Sequence, residues 1–124
     1  MLDAGVLKEI GGIVGTQHLL TAPEELVLYG YDATPAAEVV RPDAVVHAGS
    51  AEEIAEIVRL ANRTPFYVIP RGAGTGMTGG SRPIRGGVVI STQRMNRILR
   101  IDPDNLQAVV QPGVVTEHLQ KQVE

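Results

Sequence analysis

Residues 71–87 hold seven of the chain's fourteen glycines together with Pro83, in a passage bounded on each side by a short β-branched run. No helix can cross such a segment, because an interior glycine costs about 1 kcal/mol relative to alanine and a proline about 3 kcal/mol. A structureless passage of this length inside a compact chain is functional rather than a simple connector. Any fold must therefore hold a long aperiodic loop between two strands, Phe66-Tyr67-Val68-Ile69, which Pro70 should stop, and Val88-Val89-Ile90-Ser91.

The flanking sequence supplies the remaining elements. Leu2, Val6, Ile10 and Ile13 recur at helical spacing until Gly11, Gly12 and Gly15 loosen the pattern, so the first thirty residues read as helical. Thr21 with Glu24 predicts a capping box opening a second short helix. Pro35 and Pro42 keep residues 31–43 irregular. Ala44-Val45-Val46-His47 then reads as a strand, and Ser50 with Glu53 as a capping box for a helix whose apolar face is Ile54, Ile57, Val58 and Ala61. Strand, helix and strand in one sheet predict a parallel pair with a right-handed crossover. Ile98 to Ile101 and Leu106 to Gln111 pair as a hairpin about the turn Asp102-Pro103-Asp104-Asn105. Thr116 opens a last helix carrying Leu119 and Val123.

The expected class is α+β: N-terminal helices, a βαβ subdomain with a small mixed sheet and the glycine-rich loop between strands, then a hairpin and a truncated helix. Residues 1–41 read as an N-terminal helical extension and 42–124 as a partial ligand-binding domain cut off at its C-terminal side. With one Phe, three Tyr and no Trp, the core must be aliphatic. A net charge of -3 with no basic run, and few aromatic rings for stacking, argue against nucleic-acid binding. The absence of cysteine leaves no disulfide framework or thiolate metal site, and no metal ligands are assigned. No apolar run approaches the ~20 residues of a membrane span, and the N-terminus makes a poor signal peptide, so a cytoplasmic location is expected.

Within the loop, Gly74-Thr75-Gly76-Met77-Thr78-Gly79 matches GxGxxG literally, with Asp102 downstream where a ribose-binding acid would be sought. That fingerprint requires a helix opening at the glycines, whereas here Gly86-Gly87 leads into a strand. A triphosphate loop requires lysine before its Ser or Thr, and Gly80 stands before Ser81. What remains is a turn whose successive N–H groups can converge on an anion, with hydroxyls from Thr75, Thr78 and Ser81 and the charge of Arg71 at the entrance. A flexible linker without ligand is the plain alternative, and apolar Met77 and Ile84 argue against it.

The ordered run VIPRGAGTGMTGG, then a strand and Gln93-Arg94-Met95-Asn96-Arg97-Ile98, then VVQPGVVTEHL, resembles the FAD-linked oxidases of the vanillyl-alcohol oxidase superfamily. The likeness is to their PCMH-type FAD-binding domain, in the branch of the glycolate oxidase FAD-binding subunit and D-lactate dehydrogenase. Tyr31-Asp32-Ala33 and residues 42–50 fit the approach to that domain. The resemblance implies an FAD lying extended between two α/β subdomains. Its diphosphate would meet Pro70, Arg71, Gly72, Ala73, Gly74, Thr75, Gly76, Gly79, Gly80 and Ser81, and Pro112, Gly113 and Val114 would line the next part of the cofactor. Some relatives attach flavin through a histidine where this chain has Thr75, so a non-covalent FAD is implied.

The implied activity is oxidation of a 2-hydroxy acid, with substrate and catalytic groups expected beyond Glu124, so no catalytic residue is named. The alternative is a non-catalytic assembly or interaction module whose open sheet edge a second copy or another subunit covers. His47 and His118 lack an evident partner and read as structural or solvated. Arg94, Arg97 and Arg100, spaced by three, suggest a basic face, which exposed turn and strand ends explain equally well.

Overall fold

A computed structural model describes residues 2–124. Helix α1 (Ala4–Val14) is followed by a 3-10 turn (Thr16–His18), strand β1 (Leu19–Leu20), the one-turn helix α2 (Pro23–Leu26) and a second 3-10 turn (Val27–Tyr29). Strand β2 (Ala44–His47), helix α3 (Ala51–Arg63), β3 (Val68–Arg71) and β4 (Val88–Ser91) come next, then the hairpin β5 (Ile98–Asp102) and β6 (Gln107–Val110) and helix α4 (Thr116–Val123). The fold is mixed α+β, with a four-stranded sheet in the order β1-β2-β4-β3 and a separate two-stranded one.

β2 and β4 begin as unbroken apolar runs, Ala44 to Val46 and Val88 to Ile90, because both of their faces are covered there. Ala44, Val46, Val88 and Ile90 pack with Val6, Ile10 and Val14 of α1 and with Ile57 and Leu60 of α3. On the other face Val45 and Val89 meet Leu26, with Leu20, Tyr29 and Ile69 at the margin. The expected parallel pair of β2 and β3 exists, but the two do not touch: β4 lies between them and runs parallel to both.

This order imposes a constraint on the glycine-rich segment. Parallel neighbours need a connection that returns from the carboxyl end of one strand to the amino end of the next, and a helix usually provides it. Here residues 72–87 make the return without one. The path closes against the start of β2, where Asp43 N and Ala44 N donate to Gly87 O at 2.8 and 3.3 Å and Gly87 N donates to Asp43 Oδ2 at 2.8 Å.

Four expectations are corrected. Pro70 does not stop β3 but pairs with Ile90 inside it. Tyr67 O and Arg71 O accept from Val88 N and Thr92 N, so Pro70 is out of phase with the bonded residues and turns its missing donor to the open edge. Thr21 caps nothing: Pro23 takes the first helical position, where its fixed φ fits and its absent N–H is not missed, and Ala22 becomes the N-cap. The first thirty residues are not wholly helical, since Leu19 and Leu20 pair antiparallel with Val46 and Val45. In α3, Val58 is 40% exposed whereas Leu60 is buried, because the covered row steps by three from Ile54 through Ile57 to Leu60.

The Ser50 cap forms as expected, Ser50 Oγ accepting from Glu53 N at 3.2 Å, while the Glu53 carboxylate reaches one residue further back than a standard box, to Gly49 N at 2.7 Å. The hairpin turn is held by Asp102 Oδ1 accepting from Asn105 N at 3.2 Å, and the register slips at Leu99. Beside the hairpin and α4 lies an open apolar groove of about 460 Å³ lined by Ile101, Leu106, Ala108, Leu119 and Val123 among others.

The corrected face of α3 is testable by denaturant unfolding. Ile57→Ala should cost about 2–5 kcal/mol, the usual range for truncating a buried aliphatic side chain. Val58→Ala should stay within about 0.5 kcal/mol of wild type, as for an exposed position.

Candidate functional site

The parallel strands end together. His47, Ser91 and Arg71 are register partners across β2, β4 and β3, so the residues that follow each strand emerge at one edge, where open α/β sheets bind their ligands. Gly72 and Ala73 leave β3 there, and Thr92 and Gln93 leave β4. A turn brings the chain back to them: Met95 N donates to Thr92 O at 2.9 Å, and after β6 Gly113 N donates to Met95 O at 2.8 Å.

A cavity of about 430 Å³ opens between these pieces, lined by Gly72, Ala73, Thr75, Thr92, Gln93, Pro112, Gly113, Val114, Val115, Thr116 and Glu117. Six of the residues named from sequence thus meet at one place: Gly72, Ala73, Thr75, Pro112, Gly113 and Val114. Pro70 lies in the edge strand, and Gly74, Gly76, Gly79, Gly80 and Ser81 lie outside the cavity lining. From Gly76 onward the loop is on its return path, with Gly76 O accepting from Ala33 N at 2.9 Å and Arg82 Nη2 donating to Glu38 O at 2.6 Å. Thr92, Gln93, Val115, Thr116 and Glu117 were not named from sequence. For Thr92 and Gln93 a signal existed, since they directly follow the strand Val88-Val89-Ile90-Ser91 at its carboxyl end.

Arg71 is not at an entrance. It is 8% exposed, its Nη1 donates to Tyr31 O at 2.6 Å, and its guanidinium lies over the Tyr29 ring 5.6 Å from the centroid. Gly74, at φ +72°, leaves the space that this guanidinium fills. The desolvated cation seeks a carbonyl and a ring face, and it stitches the root of the loop to the N-terminal segment instead of facing a ligand.

Among the described residues Glu117 is the only charged one lining the cavity, so an anion there would be held by backbone and neutral polar groups. Donors are present. Among the described residues no backbone N–H from 72 to 81 donates to a protein acceptor. Above Gly72 there is nothing within 4 Å of where a Cβ would stand, and the buried Thr92 Oγ1 has no hydrogen-bond partner. A glycine left open, a file of unspent amides and an orphan hydroxyl in the wall fit a polyoxygen ligand such as a diphosphate.

His47 does have a partner, contrary to the sequence reading. Tyr29 Oη lies 3.3 Å from its Nε2 and the two rings pack edge to face. Burial, then the nearby charges of His18 and Arg94, lowers its pKa from the ordinary value of 6.5. The three arginines form no common face: Arg94 reaches His47 O at 2.8 Å, whereas Arg100 pairs with Asp102 on the hairpin.

Because the folded chain disfavours the charged imidazole, the unfolded chain takes up the proton first. His47 should leave stability untouched above pH 7 and erode it as pH falls below about 6.5, continuing down to its folded value. His47→Gln should flatten the decline of the melting temperature over that window, and an equal decline in both proteins would refute the assignment.

The family described as FAD binding domain matches residues 42–124. The chain is 36% identical to the glycolate oxidase subunit GlcD of Bacillus subtilis over 124 residues, covering all of this chain and 26% of that protein. It is 39% identical to a D-lactate dehydrogenase of Anaerostipes hadrus over 101 residues, covering 82% of this chain and 20% of that one. The solved structure of p-cresol methylhydroxylase with substrate bound superposes with a TM-score of 0.85 at 25% identity, over 96% of this chain and 24% of that one. The chain thus spans about a quarter of the length of the relatives it matches. No described helix is long and apolar enough to cross a membrane. With its cavity at the carboxyl edge of a parallel sheet, the chain belongs to the FAD binding domain family, and FAD is its cofactor.

Proposed function

We propose that the cavity between Gly72, Ala73, Thr75 and the Pro112-Gly113-Val114 turn holds the diphosphate and neighbouring part of a non-covalent FAD, in the N-terminal portion of a flavin-dependent 2-hydroxy-acid oxidoreductase of the glycolate or D-lactate type. The observation that carries this reading is the set of unpaired amides at Gly72, Ala73 and Thr75, which line the cavity beside the unobstructed face of Gly72. A bound FAD would supply the hydride acceptor for oxidation of a substrate carbon. The residues of this chain bind and orient: backbone N–H groups face the phosphate oxygens, Thr92 and Thr75 offer hydroxyls, and Val114 and Val115 shield one wall from water. Non-covalent attachment is what the resemblance implies, since Thr75 stands where some relatives carry the histidine that holds their flavin. Residues 70, 71, 74, 76 and 79–81 shape and carry this loop, and residues 42–124 form the cofactor-binding part with 1–41 as an extension packed on it. A cytoplasmic location accords with the chain's composition.

A second reading, an assembly module, draws on the exposed apolar hairpin, where Leu106 is 93% exposed and Val109 50%. Titrating FAD into the purified chain while following flavin fluorescence and light scattering separates the two. Saturable one-to-one binding supports the cofactor site, and self-association without binding supports the module. Gly72→Val should weaken FAD binding at least about tenfold with an unchanged melting temperature, since its side chain enters space that only the ligand occupies. Equal affinity in wild type and variant would place the diphosphate elsewhere. Stabilisation by pyrophosphate or ADP but not FAD would point to a different phosphate ligand.

A further inference from the structure

Next in the chain to the lining residues Thr92 and Gln93, but outside the cavity lining, Arg94 joins a cluster with Glu53, Gly49 and His47. Arg94 Nη1 donates to His47 O at 2.8 Å and stands 3.7 Å from Glu53 Oε2. That carboxylate also accepts from Gly49 N at 2.7 Å. The guanidinium lies so close over Gly49 that a Cβ there would stand 2.8 Å from its Cζ and Nη2. Gly49 is not held at positive φ, so its lack of a side chain answers to Arg94 and not to backbone conformation.

Arg94 belongs to the turn that builds the far wall. Thr92 and Gln93 line the cavity, Met95 N closes the turn on Thr92 O, and Met95 O receives Gly113 N from the opposite wall. Met95 itself is buried. Three bonds therefore run in series from the end of β2 and the first turn of α3, through the guanidinium, to the turn 92–95 and on to Gly113. One nitrogen, Nη1, meets both groups, bonding His47 O and attracting Glu53 by charge alone, so a lysine ammonium can keep part of the link.

We infer that Arg94 is a positioning residue for the cofactor, setting both the Thr92-Gln93 wall and the Gly113 wall through the turn 92–95, and that Gly49 is bare to admit it. The inference rests on the reading of the cavity as the FAD site. Its test compares Arg94→Ala, Arg94→Lys, Gly49→Ala and the double variant G49A/R94A with wild type, and uses Arg97→Ala, at a side chain without a hydrogen bond or ion pair among the described residues, as control.

Two readouts are taken: the FAD dissociation constant, and hydrogen exchange of the Gly113 amide in FAD-free protein against that of Val89 in β4. Arg94→Ala and Gly49→Ala should each weaken FAD and speed Gly113 exchange about tenfold, as expected for loss of one charge-assisted bond, while Val89 stays protected. Arg94→Lys should recover part of both. The double variant should be no worse than Arg94→Ala, because both substitutions break the same link. Unchanged Gly113 exchange, parallel loss at Val89, or unchanged affinity in the variants of a wild type that binds FAD would each overturn the inference. Failure of the wild type to bind would overturn the cofactor reading instead, and Gly113 exchange would still decide whether the clamp exists.

Discussion

The insertion of β4 between β2 and β3 governs the rest of this structure. Because β3 and β4 are parallel neighbours, the chain leaving Arg71 has to travel back along the sheet before it can enter Val88, and it does so as bare loop. The path divides the glycine-rich segment into two parts with different duties. Its first residues remain at the carboxyl edge and keep their amides free, and the remainder is routed over residues 31–40, to which Ala33 and Arg82 fasten it. A helix in this connection would have consumed those amides in its own hydrogen bonds. The absence of regular structure is therefore what makes the donors available.

The same edge gathers three groups with separate tasks. Arg71 is withdrawn into the protein against Tyr29 and Tyr31, Ser91 is fully buried in the middle, and His47 packs on Tyr29 from the other side. They continue, at the carboxyl ends of their strands, the face on which Val45 and Val89 pack with Leu26. Positive charge is used for construction here, and the cavity lining carries no cation, only backbone dipoles, neutral side chains and Glu117. That division suits a doubly charged diphosphate, which many oriented N–H groups can hold without a buried counter-ion.

Much of this was legible in the sequence, for reasons that can be stated residue by residue. Val45, Val46, Val88 and Val89 announce buried strands because nothing else explains such runs between turn formers, and Ser50 announces α3 because its hydroxyl has one useful acceptor role there. Pro70 misled because a proline ends a central strand but is harmless at alternate positions of an edge strand, and edge or centre is decided by β4, a strand that comes later in the chain. The two-residue β1 was illegible, since it exists only by pairing with Val45 and Val46. Arg71 was placed by its neighbours in sequence, whereas its environment is supplied by Tyr29 and Tyr31, some forty positions upstream. The part of the site contributed by Thr92 and Gln93 was missed because attention to glycine favours loops over strand ends.

Pro70 carries one more consequence. Bonding groups on an exposed edge strand invite another strand to add alongside, and β3 is exposed on the side away from β4. With Pro70 at an outward-facing position, that side lacks one of the donors a fourth parallel neighbour would need. On the opposite border, β1 offers only Leu19 and Leu20 before the chain turns into α2. Both flanks of this four-stranded sheet thus offer an added strand fewer bonding groups than a long regular edge would.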